Sequence, residues 1–129
     1  MKNKINLMYA DESYRMMEIV FDVFNKLGYG HKESLYQKAL AEGFSKNNID
    51  FKEQLRCKLQ YRGKDVGLYI LDFLVFDKIV LEIKQKNFIS RKDISQLYQY
   101  LKATDLKLGI IVTFTPDQVR YKRIVNIKD

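Results

Sequence analysis

The chain is poor in the residues that thiolate and imidazole chemistry need. It has one cysteine, Cys57, and one histidine, His31. A lone cysteine excludes an intrachain disulfide and a cysteine-based zinc site. With a single histidine as well, a catalytic histidine pair, a zinc finger and a histidine-built metal centre are excluded too. A Cys57–His31 catalytic pair survives the count. Cys57, however, lies in a run of alternating residues with no signature around it, and reads as an ordinary strand thiol. Proline occurs once and glycine six times in 129 residues. Nothing in the composition looks disordered or repetitive. No apolar run approaches ~18 residues, so no membrane span is expected. The opening MKNKINLMYADES lacks the uninterrupted apolar core of a signal peptide. A cytoplasmic, reducing location is therefore expected.

What is there is a globular composition, 47% hydrophobic and 30% charged. That length and balance suit one domain over residues 1–129, with residues 1–10 as a basic, frayed leader. Lys and Arg number 23 against 16 Asp and Glu, a formal charge of +7. A phosphate polyanion is the commonest partner for such a surface, although many basic domains bind none.

The chain is organised around Gly67–Lys86, GLYILDFLVFDKIVLEIKQK. It reads as two strands, Leu68–Phe76 and Ile79–Ile83, joined by a turn at Asp77-Lys78. Their nearly continuous apolar character suggests burial on both faces. Asp72 nevertheless sits within the first strand, and Glu82 and Lys84 close the second. A carboxylate in a buried strand is expensive unless it is paired, hydrogen-bonded or bound to a metal.

Helical periodicity covers Asp11–Leu27, with Met17, Val20, Phe21 and Phe24 as the central stripe. A second helix is expected over about His31–Asn47, its apolar line running through Tyr36, Leu40 and Phe44. One turn back along that line is Glu33, where the helix dipole alone also favours a carboxylate. Phe51–Tyr61 alternates almost strictly and reads as a half-exposed strand, followed by a hairpin turn at Arg62–Asp65. Ser90-x-x-Asp93 fits a capping box opening a helix over Arg91–Thr104. On it, Gln96 and Tyr100 are four apart and can face one point. Lys107–Thr115 and Val119–Ile127 complete the strands, the last with Arg120, Lys122, Arg123 and Lys128 outside. The order is α-α-β-β-β-α-β-β, an α/β fold. The first three strands form a meander, and the helical crossover lets the next strand pair parallel in a mixed sheet.

Glu82 and Lys84 are two apart and share a strand face. If the register sets Asp72 beside Glu82, the two offer hard oxygen ligands suited to Mg²⁺ or Mn²⁺. Such an ion can polarise a phosphate and activate water. Lys84 can orient that water or stabilise charge on phosphorus. Glu33 can supply a further metal ligand, and Gln96 and Tyr100 can hold the water or a phosphate oxygen. The same residues also allow a structural ion cluster, with Lys84 neutralising both carboxylates.

These residues resemble the PD-(D/E)xK nuclease superfamily, and within it the GxxExxR proteins. Gly30-His31-Lys32-Glu33-Ser34-Leu35-Tyr36 resembles the GxxExxR motif, with Tyr36 at the Arg position. Asp72 and Glu82-Ile83-Lys84 resemble the metal and lysine signature. Gln96-Leu97-Tyr98-Gln99-Tyr100 resembles the QxxxY element of RecB-like nucleases. The resemblance spans about Met17–Val125. It implies a restriction-endonuclease-like fold and a Mg²⁺-dependent phosphodiesterase acting on nucleic acid, DNA in particular. Leu71 stands where the superfamily often has Pro, and Ile70 where related sequences often carry a basic residue. Two other readings stay open: a non-catalytic nucleic-acid-binding module, and a protein–protein module or subunit of a larger nuclease complex; assembly as a homodimer is open as well.

Overall fold

A computed structural model describes residues 7–127. Its elements are α1 (Ala10–Leu27), α2 (Glu33–Lys46), β1 (Phe51–Tyr61), β2 (Lys64–Val75), β3 (Ile79–Lys84), α3 (Arg91–Thr104), β4 (Leu108–Phe114) and β5 (Val119–Val125). The expected order is observed. The five strands lie in one sheet in sequence order. Only β3 and β4 run parallel, because only they are joined by a helical crossover.

The sheet is covered on both sides. Met16, Val20, Leu40 and Phe44 of α1 and α2 pack on Phe73, Leu81, Ile83, Ile110 and Val112. Leu97, Tyr100 and Leu101 of α3 pack on Val80, Ile111 and Ile124 of the opposite face. β4 is buried along its whole length, as expected of a strand between two helical layers. No helix among the described residues is long and apolar enough to cross a membrane.

Local chemistry explains the boundaries. Gly28 closes α1 at φ 74°, a conformation that glycine adopts without strain, and its N–H bonds to the Phe24 carbonyl. The buried Tyr36 hydroxyl donates to the Gly28 carbonyl at 2.6 Å and accepts from the His31 N–H at 3.3 Å. The connector is thereby pinned against the first turn of α2. The capping box at α3 forms in both directions, Asp93 N–H to Ser90 Oγ and Ser90 N–H to Asp93 Oδ2. Of the expected leader, residues 1–6 lie outside the described residues. Met8 and Tyr9 pack against the core, and the Met8 carbonyl accepts from Arg123. Lys128 also lies outside the described residues.

Several expectations are corrected. β2 begins at Lys64, not Leu68, and residues 64–70 are mostly exposed. The reason is that β3 pairs with β2 only over Phe73–Val75, so the earlier half has no third strand beside it. The near-strict alternation of β1, with Phe51, Leu55 and Cys57 on one face, also fails. Phe51 packs towards α2, whereas Leu55 and Cys57 pack towards α3. Gln54 between them adopts φ 54°, which breaks the pleat and turns the strand over. Phe21, expected in the central stripe of α1, is 40% exposed and meets Tyr121 edge-on.

α3 approaches β4 closely because Gly109 has no side chain. A Cβ there would lie 2.7–3.0 Å from three atoms of the buried Leu97. Gly109→Ala should therefore cost about 1–3 kcal/mol through overpacking. The expected outcome is a lower melting temperature, and a smaller loss when the same change is made in a Leu97→Ala background, where the clashing atoms are gone. Equal melting of Gly109→Ala and wild type would refute this packing.

Candidate active site

The site forms where β2 and β3 part. Their ladder runs Val75↔Ile79, Leu74↔Val80 and Phe73↔Leu81. The next opposed residues are Asp72 and Glu82, and there side chains replace the main-chain ladder. Asp72 Oδ2 accepts from the Ile83 N–H at 2.7 Å. Glu82 Oε2 accepts from the Asp72 N–H at 3.2 Å. The two carboxylates thus hold the strands apart and stand side by side.

Gln37 of α2 donates from Nε2 to Asp72 Oδ1 at 2.8 Å, and Gln54 donates to Gln37 Oε1 at 3.3 Å. Gln54 faces Asp72 in the β1–β2 register, between the pairs Glu53↔Phe73 and Leu55↔Leu71. Neither glutamine was identified from the sequence. Gln37 had a signal, since it lies one helical turn after Glu33. Gln54 had none, because its role rests on a backbone twist.

Both carboxyls are half-buried. Burial pushes Asp72 up to about 6, helped by the charge of Glu33 and opposed by the Ile83 N–H and by Lys84. Burial, then the charge of Asp72, pushes Glu82 up to about 8. Lys84 is close enough to draw both downwards, yet among the described residues it forms no ion pair. It points from the end of β3 between two cavities. One, of about 280 Å³, is lined by Glu82, Lys84, Gln96 and Tyr100. The other, of about 190 Å³, is lined by Glu33, His31, Lys84 and Lys86.

The expected groups are therefore brought together unevenly. Asp72 and Glu82 are paired, and Lys84 adjoins them. Tyr100 is 5% exposed, packs edge-on against Tyr69, and is pushed up to about 12, chiefly by burial. It is a neutral hydroxyl donor at neutral pH. Gln96 sits exposed at the cavity rim. Glu33 is near enough to repel both carboxylates, but its Oε2 accepts from the Gln85 N–H at 3.0 Å. Among the described residues, no three carboxylate, His or Cys side chains converge as a ready ligand cluster. The donor chemistry of the pair still fits a hard divalent cation. Two adjacent carboxylates are held by main-chain N–H groups, and neither forms an ion pair among the described residues. Across the β3–β4 ladder from Lys84, Thr113 is fully buried and its hydroxyl has no partner among the described residues.

A family model of the PD-(D/E)XK nuclease superfamily matches residues 10–124. The chain belongs to that superfamily. Among solved structures, the crystal structure of SSO0001 is similar, with a TM-score of 0.51 and 20% sequence identity. The match covers 94% of this chain and 59% of that one, and at such identity it shows the fold alone. A search of curated proteins found no match.

Burial, reinforced by like charge at the fork, predicts a pH effect on metal-free protein. For Glu82 the folded value, about 8, exceeds the ordinary 4.5. The penalty is absent below about pH 4.5 and grows as pH rises towards 8, because the folded state must then ionise a group it prefers protonated. Glu82→Gln should melt like wild type near pH 4, and a few degrees higher near pH 8–9 in EDTA. An unchanged difference across that range would show that the fork imposes no such penalty on ionising Glu82.

Proposed function

We propose that this protein is a Mg²⁺- or Mn²⁺-dependent nuclease that hydrolyses phosphodiester bonds in nucleic acid, with DNA as the substrate. The observation that carries this is the Asp72–Glu82 pair seated in the β2–β3 fork, with Lys84 beside it and in no ion pair among the described residues. Superfamily membership supports nuclease chemistry.

Asp72 and Glu82 would hold the divalent ion. Bound there, it supplies Lewis-acid polarisation of the phosphate and charge neutralisation. The chain's own groups do the rest. The Ile83 and Asp72 N–H groups and Gln37 hold the carboxylates in place, so that they are preorganised. Lys84 orients the attacking water and stabilises the developing negative charge on phosphorus. Glu33 lies at the start of α2, where the helix dipole favours a carboxylate. It would serve as a further ligand, direct or through water. Gln96 and Tyr100 donate hydrogen bonds to the water or to a phosphate oxygen from the far wall of the same cavity. Within the superfamily we assign the chain to the GxxExxR proteins, on Gly30, Glu33 and the Tyr36 that pins their connector, with Gln96 and Tyr100 as a QxxxY element.

A second reading, a nucleic-acid-binding module without catalysis or a subunit of a larger nuclease complex, is favoured by the lack of a three-ligand cluster among the described residues. One experiment separates the two. Wild type, Asp72→Asn and Lys84→Ala are tested for cleavage of plasmid and oligonucleotide with Mg²⁺ or Mn²⁺, and for metal-induced thermal stabilisation. Lys84→Ala should keep the stabilisation and lose cleavage by about 10²–10³-fold. Asp72→Asn should lose both. Salt-sensitive binding by wild type with no cleavage under either metal would establish the non-catalytic reading instead.

A further inference from the structure

The nuclease reading leaves one feature of the fold unused. The first half of the β1–β2 hairpin runs on past β3. From Lys64 to Leu71, β2 is paired only with β1. This arm has two unlike faces. Leu55, Cys57, Tyr69 and Leu71 lean on the α3 cluster, with Tyr69 edge-on to Tyr100. The arm is thereby anchored to the same helix that walls the carboxylate site. The other face is open. It carries Arg56 and Lys58, directly across the ladder from Ile70 and Leu68, which are 49% and 44% exposed.

That open face runs straight into the site. Asp72 is the next residue but one after Ile70 on β2. At the rise of a strand, the Arg56–Ile70 pair lies about 7 Å from Asp72, and the Lys58–Leu68 pair about 13 Å. Arg56 forms no ion pair among the described residues. Lys58 meets Asp65 at 3.6 Å, but both side chains are well exposed, so the contact is weak and exchangeable. The hairpin turn beyond adds Arg62, and β2 begins with Lys64.

We propose that this face is a track for the sugar–phosphate backbone of the nucleic acid, which it feeds to the Asp72–Glu82 pair. The track rests on the nuclease reading for its ligand, and on the arm for its place. Arg56 and Lys58 contact successive phosphates on one side of the cut. Ile70 and Leu68 offer aliphatic surface to the sugars between them. The shared chemistry is the phosphodiester backbone, so duplex DNA, single-stranded DNA and RNA are all candidate sources.

The test is fluorescence anisotropy in EDTA with a labelled DNA duplex, its single strand and an RNA strand of the same length. Arg56→Ala/Lys58→Ala should weaken binding of the best probe roughly tenfold at moderate salt, and flatten the slope of log K against log salt by about 2. Arg56→Lys/Lys58→Arg, which keeps both cations, should restore binding. Mn²⁺-induced thermal stabilisation should equal wild type in both, because neither residue touches the carboxylates. If the double alanine variant binds like wild type, the track is refuted and the nuclease reading stands. If wild type binds none of the three probes, both are refuted. If the double alanine variant instead dissolves a dimer seen by sedimentation, the face belongs to a second copy of the chain and the track is refuted. Loss of the Mn²⁺ shift refutes it too, because the arm would then serve the fork and not the nucleic acid.

Discussion

Two carboxylates are forced together where β2 and β3 diverge, and the rest of the molecule answers to that placement. A continued ladder would have paired the main chain of these residues without burying charge. Instead, Asp72 and Glu82 insert their side chains and accept the Ile83 and Asp72 N–H groups. Those bonds offset part of the desolvation cost, as a buried carboxylate requires. They do not remove the rest of that cost or the mutual repulsion, and burial first, then the charge of Asp72, keeps the proton affinity of Glu82 raised. The core around the pair is what tolerates this cost. Phe73, Leu81 and Ile83 on one face, and Val80 on the other, are held between two helical layers.

Each layer delivers a different group. α2 brings Glu33 with its first turn and Gln37 with its second. The end of β3 presents Lys84 between two cavities. α3 brings Gln96 and the buried Tyr100. The backbone also contributes directly. Gln54 adopts a left-handed conformation, which costs a non-glycine residue about 1 kcal/mol or more. In return, the sheet turns over beside Asp72, and Gln54 reaches Gln37, which in turn holds Asp72. The same turnover directs Arg56 and Lys58 of the arm outwards and Leu55 and Cys57 onto α3. Positive charge and the carboxylate fork therefore lie on one continuous path.

Most of the architecture was legible because periodicity reports burial. The helix stripes, the apolar β4 and the Ser90–Asp93 cap all carried local signals, and the element order followed from them. The charged residues within Asp72–Lys84 stood out because apolar neighbours made them conspicuous. The half-exposed start of β2 was misread for a related reason. Val66, Leu68 and Ile70 are apolar, and composition does not reveal that no third strand lies beside them. Phe21 was misplaced because an aromatic edge contact at the surface has the same signature as a core position.

By itself, the sequence determined the order of elements and the chemical identity of the groups near the fork. Both are written in residue type and short-range spacing. Tertiary structure decided what those groups meet. Register set Asp72 against Glu82, a main-chain bond at Gln85 held Glu33 aside, and a positive φ at Gln54 brought in Gln37. These are long-range facts. Each depends on strands and a helix far apart in sequence being fixed within an ångström or so, and no local pattern encodes that distance.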